Sequence, residues 1–273
     1  MRREPAERGG PASGPLILYI TLHLLAFAAQ LASRNTTTRV YLQQLSVLVA
    51  LSVVYRLLGT TNPGYVTHSD STATLERGTG FLCKRCNLRL PLRAKHCKEI
   101  NACVRRFDHF CPWLGVPIAE RNHCLFLVFV ALQCFLCALM LGPLAQSIHG
   151  SLAFALSAPS VFGRENVLQL LALLIDALSL SLLLPLLAFH TYLALANVTT
   201  WEVLSAHNVS YLKDIPSNVN PFSQGLIGNL RHFCIELPLA REPVVYSLPP
   251  TERMRDNANQ ESIWDNRYYS CFN

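Results

Sequence analysis

The sequence predicts an all-α membrane protein in which four transmembrane helices carry a small cysteine-rich cytosolic domain between the second and the third. Three observations predict it. Of the 273 residues, 51% are hydrophobic and 15% charged, against roughly 25% charged in soluble domains. Residues 14–33, 40–55, 124–148 and 167–198 hold no charge except Asp176, and about 20 apolar residues cross the hydrocarbon core as a helix. Five of the ten cysteines crowd residues 83–111, between the second and third of these stretches.

Taken in order, residues 1–13 form a basic N-terminal segment, and residues 14–59 hold the first two spans. The first resembles a signal segment in its basic start and in Ala26, Ala28 and Ala29, but its apolar run is long for one. The second is the shortest, and it reaches Gly59 if Arg56 snorkels toward the headgroups. Residues 60–123 form the cysteine-rich domain and 124–198 the third and fourth spans. Within these, Asp176 reads as a polar contact between helices, and Cys124, Cys134 and Cys137 read as apolar packing residues. Residues 199–233 return to the cytosolic side. Residues 234–273 form a polar tail with Pro249, Pro250 and many Asn and Asp, for which disorder is the default. No internal repeat is read from the sequence.

Orientation follows from the Lys and Arg residues, which accumulate on the cytosolic side of a membrane protein. Residues 1–13 carry three, 56–123 eleven and 199–273 six, which leaves Arg34, Arg39 and Arg164 opposite. The termini and the central loop are therefore expected to be cytosolic. The net charge of +6 then reads as attraction to anionic headgroups. No nucleic-acid motif accompanies it.

A cytosolic cysteine cluster points away from disulfides and toward metal or catalysis. Cys83 and Cys86 form a C-x-x-C knuckle followed by His96 and Cys103, four ligands of the kind a structural zinc takes. In a loop with little apolar content the metal supplies folding energy. Downstream, Asp108, His109 and Cys111 fit a thiol nucleophile, its base and the carboxylate that orients the base.

These residues resemble the DHHC family of protein S-acyltransferases. The resemblance runs through C-K-R-C at 83–86, H-C-K-E-I-N-A-C at 96–103 and V-R-R-F-D-H-F-C-P-W at 104–113. It continues in T-T-W-E at 199–202, N-P-F at 220–222 and Asn229, and in N-P-G at 62–64, where Asn62 stands for the usual Asp. It implies that Cys111 takes a fatty acyl group from acyl-CoA, palmitoyl-CoA above all, and passes it to thiols of substrate proteins bearing cytosolic juxtamembrane cysteines. His109 is the implied base and Asp108 its partner. Thr199, Thr200 and Glu202 form the supporting motif, with Thr200 near Asp108 and Asn229 tying down the C-terminal segment. Arg93, Lys95, Arg105, Arg106 and Arg121 are candidates for the CoA phosphates. The bilayer is the remaining partner, nucleic acid is not one, and Golgi or endoplasmic reticulum membrane is the expected location.

Members of the family bind two zincs. The first set is complete here as Cys83, Cys86, His96 and Cys103. The second retains Cys97, but Ile100, Phe110 and Pro117 replace its other ligands. One structural zinc is therefore expected, with the three apolar residues packed in place of the second. The alternative to an enzyme is a catalytically inactive membrane adaptor with the same fold.

Overall fold

The computed structural model describes residues 21, 38–157, 164–213, 215, 219–240 and 242–250. Three of its helices are long and apolar enough to cross a membrane. They are α1 (Thr38–Thr60), α3 (His123–Ser157) and α4 (Arg164–Ala196). In the last two the candidate spans cover His123–Gln146 and Val167–Ala196. The span expected over residues 14–33 lies outside the described residues.

The chain divides into two compact units. One holds the helical segments 38–57, 127–157 and 164–189. Val47, Leu51, Leu136, Met140, Leu144 and Ala172 form its buried core. Leu42, Leu45, Val49 and Val53 of α1 and Leu174, Leu178 and Leu182 of α4 stay exposed, as helix faces that meet lipid must. Asp176 is buried in this unit and hydrogen-bonds to Cys137, the interhelical polar contact expected for it.

The second unit contains residues 58–126 and 190–250 among those described. Its cysteine-rich part corrects the all-α expectation, because it is built from three two-stranded antiparallel hairpins: β1 (Phe81–Cys83) with β2 (Leu88–Leu90), β3 (Lys95–Cys97) with β4 (Ala102–Val104), and β5 (His109–Cys111) with β6 (Val116–Ile118). Strands of three residues are too short to show alternation against a polar background.

The hairpins also reveal an internal repeat that the sequence reading missed. Each turns through four residues, and the last of them is left-handed: Asn87 (φ 55°), Asn101 (φ 49°) and Gly115 (φ 67°). Asn and Gly are the residues that tolerate this region. Each turn follows a cysteine, Cys83, Cys97 or Cys111, which pairs across its hairpin with Leu88, Ala102 or Val116. Cys111 thus occupies in the third hairpin the place that Cys83 takes in the first.

Short helices complete the unit: α2 (His68–Glu76), closed at its start by a Thr67–Asp70 capping box, and α5 (Thr200–Leu204). Further on, α6 (Leu226–Arg231) runs through a π turn at His232–Glu236 into α7 (Leu237–Leu239). In N-P-G, Asn62 Oδ1 accepts from the backbone of Gly64 and Tyr65 at 2.8 and 3.0 Å. Gly64 adopts φ 106°, and a Cβ there would meet Glu120 at 3.3 Å.

Residues 234–240 and 242–246 differ from the expected disordered tail. They begin in the π turn and α7, and Tyr246 returns to stack on Arg93 (4.8 Å) and Phe222 (5.7 Å). Residues 251–273 lie outside the described residues.

Candidate active site

Cys111 ends β5 and is buried, and its thiol is a hydrogen-bond partner of His109 on the same strand. On its other side His109 Nδ1 meets Asp108 Oδ2 at 2.7 Å. Because a carboxylate only accepts, Nδ1 carries the hydrogen and Nε2 is left for the thiol. Two further donors fix Asp108. The backbone N–H of Thr200 reaches Oδ1 at 2.7 Å, and the Thr200 hydroxyl reaches Oδ2 at 2.9 Å.

The electrostatics follow from these contacts. Burial opposes charge on Asp108, but the adjoining His123 and His109 hold its carboxyl well below the usual carboxylate range. Burial likewise opposes a charged His109. The hydrogen bonds to Asp108 and Cys111 outweigh that and raise the imidazole to about 9. The arrangement therefore favours an imidazolium held between a carboxylate and a sulfur.

Thr200 is placed by its helix. Thr199 caps α5, with its hydroxyl accepting from Glu202 N at 3.2 Å while Glu202 Oε2 accepts from Thr199 N at 2.9 Å. Arg93 then clamps Glu202 with two 2.7 Å bonds, Nε to Oε1 and Nη2 to Oε2. Tyr211 adds a third donor at 2.9 Å. The T-T-W-E string is thus a capping box whose carboxylate also seats a buried arginine.

Asn229 is buried and donates to Leu195 O (2.7 Å) at the end of α4, while its own oxygen accepts from Gln224 N (2.6 Å). Asn197 is a hub the sequence reading missed. It adopts φ 53°, its Oδ1 accepts from Arg93 and Arg106 at 3.3 and 3.1 Å, and its backbone oxygen takes Arg93 Nη2 at 2.9 Å.

The structure corrects most of the expected phosphate ligands. Arg93 is buried against Glu202, Asn197 and the Phe222 and Tyr246 rings. Arg105 is buried against Glu120 and Asp70, each at 3.0 Å, and Arg106 is fully buried beside Asn197. These guanidiniums hold the fold because their planar forks match carboxylates and carbonyls. Arg121 donates to Ala240 O. Lys95 alone lines an open cleft of about 530 Å³ together with Lys98, Glu99, His109, Phe110, Thr200 and Trp201. Its ammonium lies 2.9 Å from the Trp201 ring centre. Burial lowers the Lys95 pKa to about 8.

Cys83, Cys86, His96 and Cys103 bring four ligand atoms within 4.8 Å of one another. His96 Nδ1 lies 3.3 Å from Cys86 Sγ and 3.6 Å from Cys103 Sγ. Zinc bonds of about 2.0–2.3 Å in a tetrahedron give ligand separations of about this size, so the residues fit the ion. The second family site does not fit. Phe110 pairs with Pro117 across the third hairpin, and Ile100 and Phe110 pack on the cluster of Cys97, Val104, Phe107 and Ala119. Cys97 donates to Glu99 at 3.1 Å. Burial and that bond push its thiol up to about 12, and with apolar residues at the other three positions a lone Cys97 cannot close a tetrahedral site.

Comparison with known proteins agrees with this site. Residues 77–207 match the family model described as DHHC palmitoyltransferase. The palmitoyltransferase ZDHHC12 of Mus musculus is 34% identical over 226 residues, covering 78% of this chain and 82% of its own. The chain belongs to the DHHC palmitoyltransferase family. Palmitoyltransferase ZDHHC12 of Homo sapiens is 40% identical over 151 residues, 55% of this chain and 54% of its own. Protein S-acyltransferase 10 of Arabidopsis thaliana is 36% identical over 152 residues, 56% of this chain and 42% of its own. The chain thus spans about half the length of the human and Arabidopsis relatives. Against the DHHC pattern, this chain reads Asp108-His109-Phe110-Cys111, with Phe110 in place of the second histidine.

Proposed function

We propose that this chain is a protein S-acyltransferase that carries a fatty acyl group from acyl-CoA on Cys111 to cysteine thiols of other proteins. The observation that carries the reading is the Asp108–His109–Cys111 chain of contacts, locked from α5 by Thr200.

In the reactive form the Cys111 proton already rests on His109 Nε2, and Asp108 stabilises that imidazolium. The sulfur attacks the thioester carbonyl, the acyl–CoA bond breaks, and the CoA sulfur leaves with the proton held by His109. In the second half, His109 accepts the proton of the acceptor thiol, whose sulfur displaces the acyl group from Cys111. Cys111 leaves as the thiol. Lys95 and Lys98 are the cations at the cleft beside His109 that suit the CoA phosphates. Cys83, Cys86, His96 and Cys103 would hold one zinc, which would supply folding energy to the first two hairpins.

A fourth span over residues 14–33 rests on its uncharged apolar run, and cytosolic termini rest on the Lys and Arg distribution. That topology places Cys111 in a reducing compartment, at acceptor cysteines next to the membrane. Golgi or endoplasmic reticulum membrane is the corresponding location. The test is transfer of a labelled acyl chain from acyl-CoA to Cys111 of the purified protein, with Cys111→Ser and His109→Ala as controls. An unmodified Cys111 in the folded, zinc-loaded protein contradicts the reading.

A further inference from the structure

Two buried histidines that the transfer mechanism does not use converge behind Asp108. His123 opens α3 and His190 lies in the last turns of α4; they are 0% and 2% exposed. His123 Nε2 and His190 Nδ1 are 3.0 Å apart. The same His123 Nε2 lies 3.7 Å from Asp108 Oδ1. The His190 ring sits 5.6 Å from the His109 ring, and Phe126 packs against both at 4.9 and 5.1 Å.

The hydrogen placement follows from the neighbours. Arg106 Nη1 lies 3.5 Å from His123 Nδ1, and a guanidinium only donates. His123 Nδ1 is therefore the acceptor, and its hydrogen sits on Nε2, directed at His190 Nδ1 with Asp108 Oδ1 as a second, longer acceptor. A carboxylate has about four acceptor positions. Three on Asp108 are filled by Thr200 N, Thr200 Oγ1 and His109 Nδ1, and the fourth faces His123. Asp108, His123 and His190 also lie close enough to hold a metal. The Arg106 charge beside His123 and the three occupied acceptor positions of Asp108 argue against a cation there.

We propose that His123 and His190 are positioning residues for acyl transfer, in which His190 accepts the His123 hydrogen and so keeps it from binding Asp108 tightly. This rests on the function proposed above. A fourth strong donor would spread the negative charge of Asp108 and weaken its hold on the His109 imidazolium. With His190 as acceptor, that charge stays directed at His109. The titratable and charged groups around this centre are His109 and Cys111 of β5, Arg106 of the preceding turn, His123 of α3 and His190 of α4.

The test uses the full-length protein and needs no acyl donor: the rate at which iodoacetamide alkylates Cys111, followed against pH. His190→Leu removes the acceptor, and the alkaline edge that His109 sets on the profile moves to lower pH. Acyl loading from palmitoyl-CoA falls about tenfold, the worth of about one hydrogen bond, with KM for palmitoyl-CoA unchanged. His190→Asn returns an oxygen to the place of Nδ1 and restores both. An unshifted profile in His190→Leu overturns the proposal, as does a His190→Asn that behaves like His190→Leu, since ring packing alone then explains the site. If His190→Leu fails to fold, His190→Asn decides, with a wild-type profile expected and a shifted one contradictory. A wild-type protein that never loads acyl contradicts the transferase reading while the alkylation profiles still judge this one.

Discussion

Replacing Glu202 by alanine removes the acceptor at the centre of the network that positions the site. Four hydrogen bonds end on this carboxylate: two from Arg93 at 2.7 Å, one from Thr199 N at 2.9 Å and one from Tyr211 at 2.9 Å. The side chains of Arg93 and Glu202 are 0% and 4% exposed, so water does not take over. Breaking a buried pair by removing one partner costs about 3–5 kcal/mol, out of a total stability of about 5–15 kcal/mol. Asn197 and the Phe222 and Tyr246 rings still contact Arg93, which puts the loss toward the lower end. At about 2–4 °C per kcal/mol for a chain of this size, the melting temperature in detergent falls by about 6–12 °C. Glu202→Gln keeps one oxygen for Arg93 and loses less. The Glu202 half of the α5 capping box is lost as well, while the Thr199 hydroxyl still accepts from the backbone N–H of residue 202, so Thr200 holds Asp108 less firmly and acyl loading drops with the stability. A Glu202→Ala protein that melts within about 2 °C of wild type refutes the reasoning.

Three further outcomes follow from the same structure. Native mass spectrometry is expected to give one zinc per chain, and Cys83→Ser loses both the metal and the protease resistance of the hairpins; two zincs contradict the apolar packing at Ile100, Phe110 and Pro117. The loading rate is expected to fall as pH rises through about 9, because His109 keeps its proton up to that value. Its ion pair with Asp108 likewise contributes stability that is complete below the ordinary imidazole pKa and lost through about pH 9. Asp108→Asn removes the carboxylate that raises the pKa and moves that edge to lower pH; an edge that stays in place separates it from His109. Phe110→His restores one of three missing ligands and sets a polar ring against Cys97 and Phe107, at about 1–3 kcal/mol for an unsatisfied polar group. Lower loading is expected, and higher loading contradicts the packing.

The site residues that carry chemistry at fixed spacing were legible in the sequence: the zinc set, the Asp-His-x-Cys string and the T-T-W-E string. Each owes its visibility to a reactive or ligating side chain. What the sequence hid has physical reasons. Arg93, Arg105 and Arg106 read as surface charge because nothing local announces a partner such as Glu202, 109 residues away from Arg93. His123 and His190 stand in apolar helices, where a lone histidine looks like packing. Only the folded chain brings them to 3.0 Å. The hairpins escaped notice because three-residue strands carry no periodicity. The left-handed residue four positions after Cys83, Cys97 and Cys111 was a readable signal for them.

The most direct test of the central claim is the fate of Cys111 itself. Wild-type protein in membranes, incubated with palmitoyl-CoA, is expected to acquire a hydroxylamine-labile acyl group on the peptide containing Cys111. Cys111→Ser is expected to acquire none, and His109→Ala to load about 10²–10⁴ times more slowly. A folded wild-type protein that retains zinc and shows no acyl group on Cys111 contradicts the account.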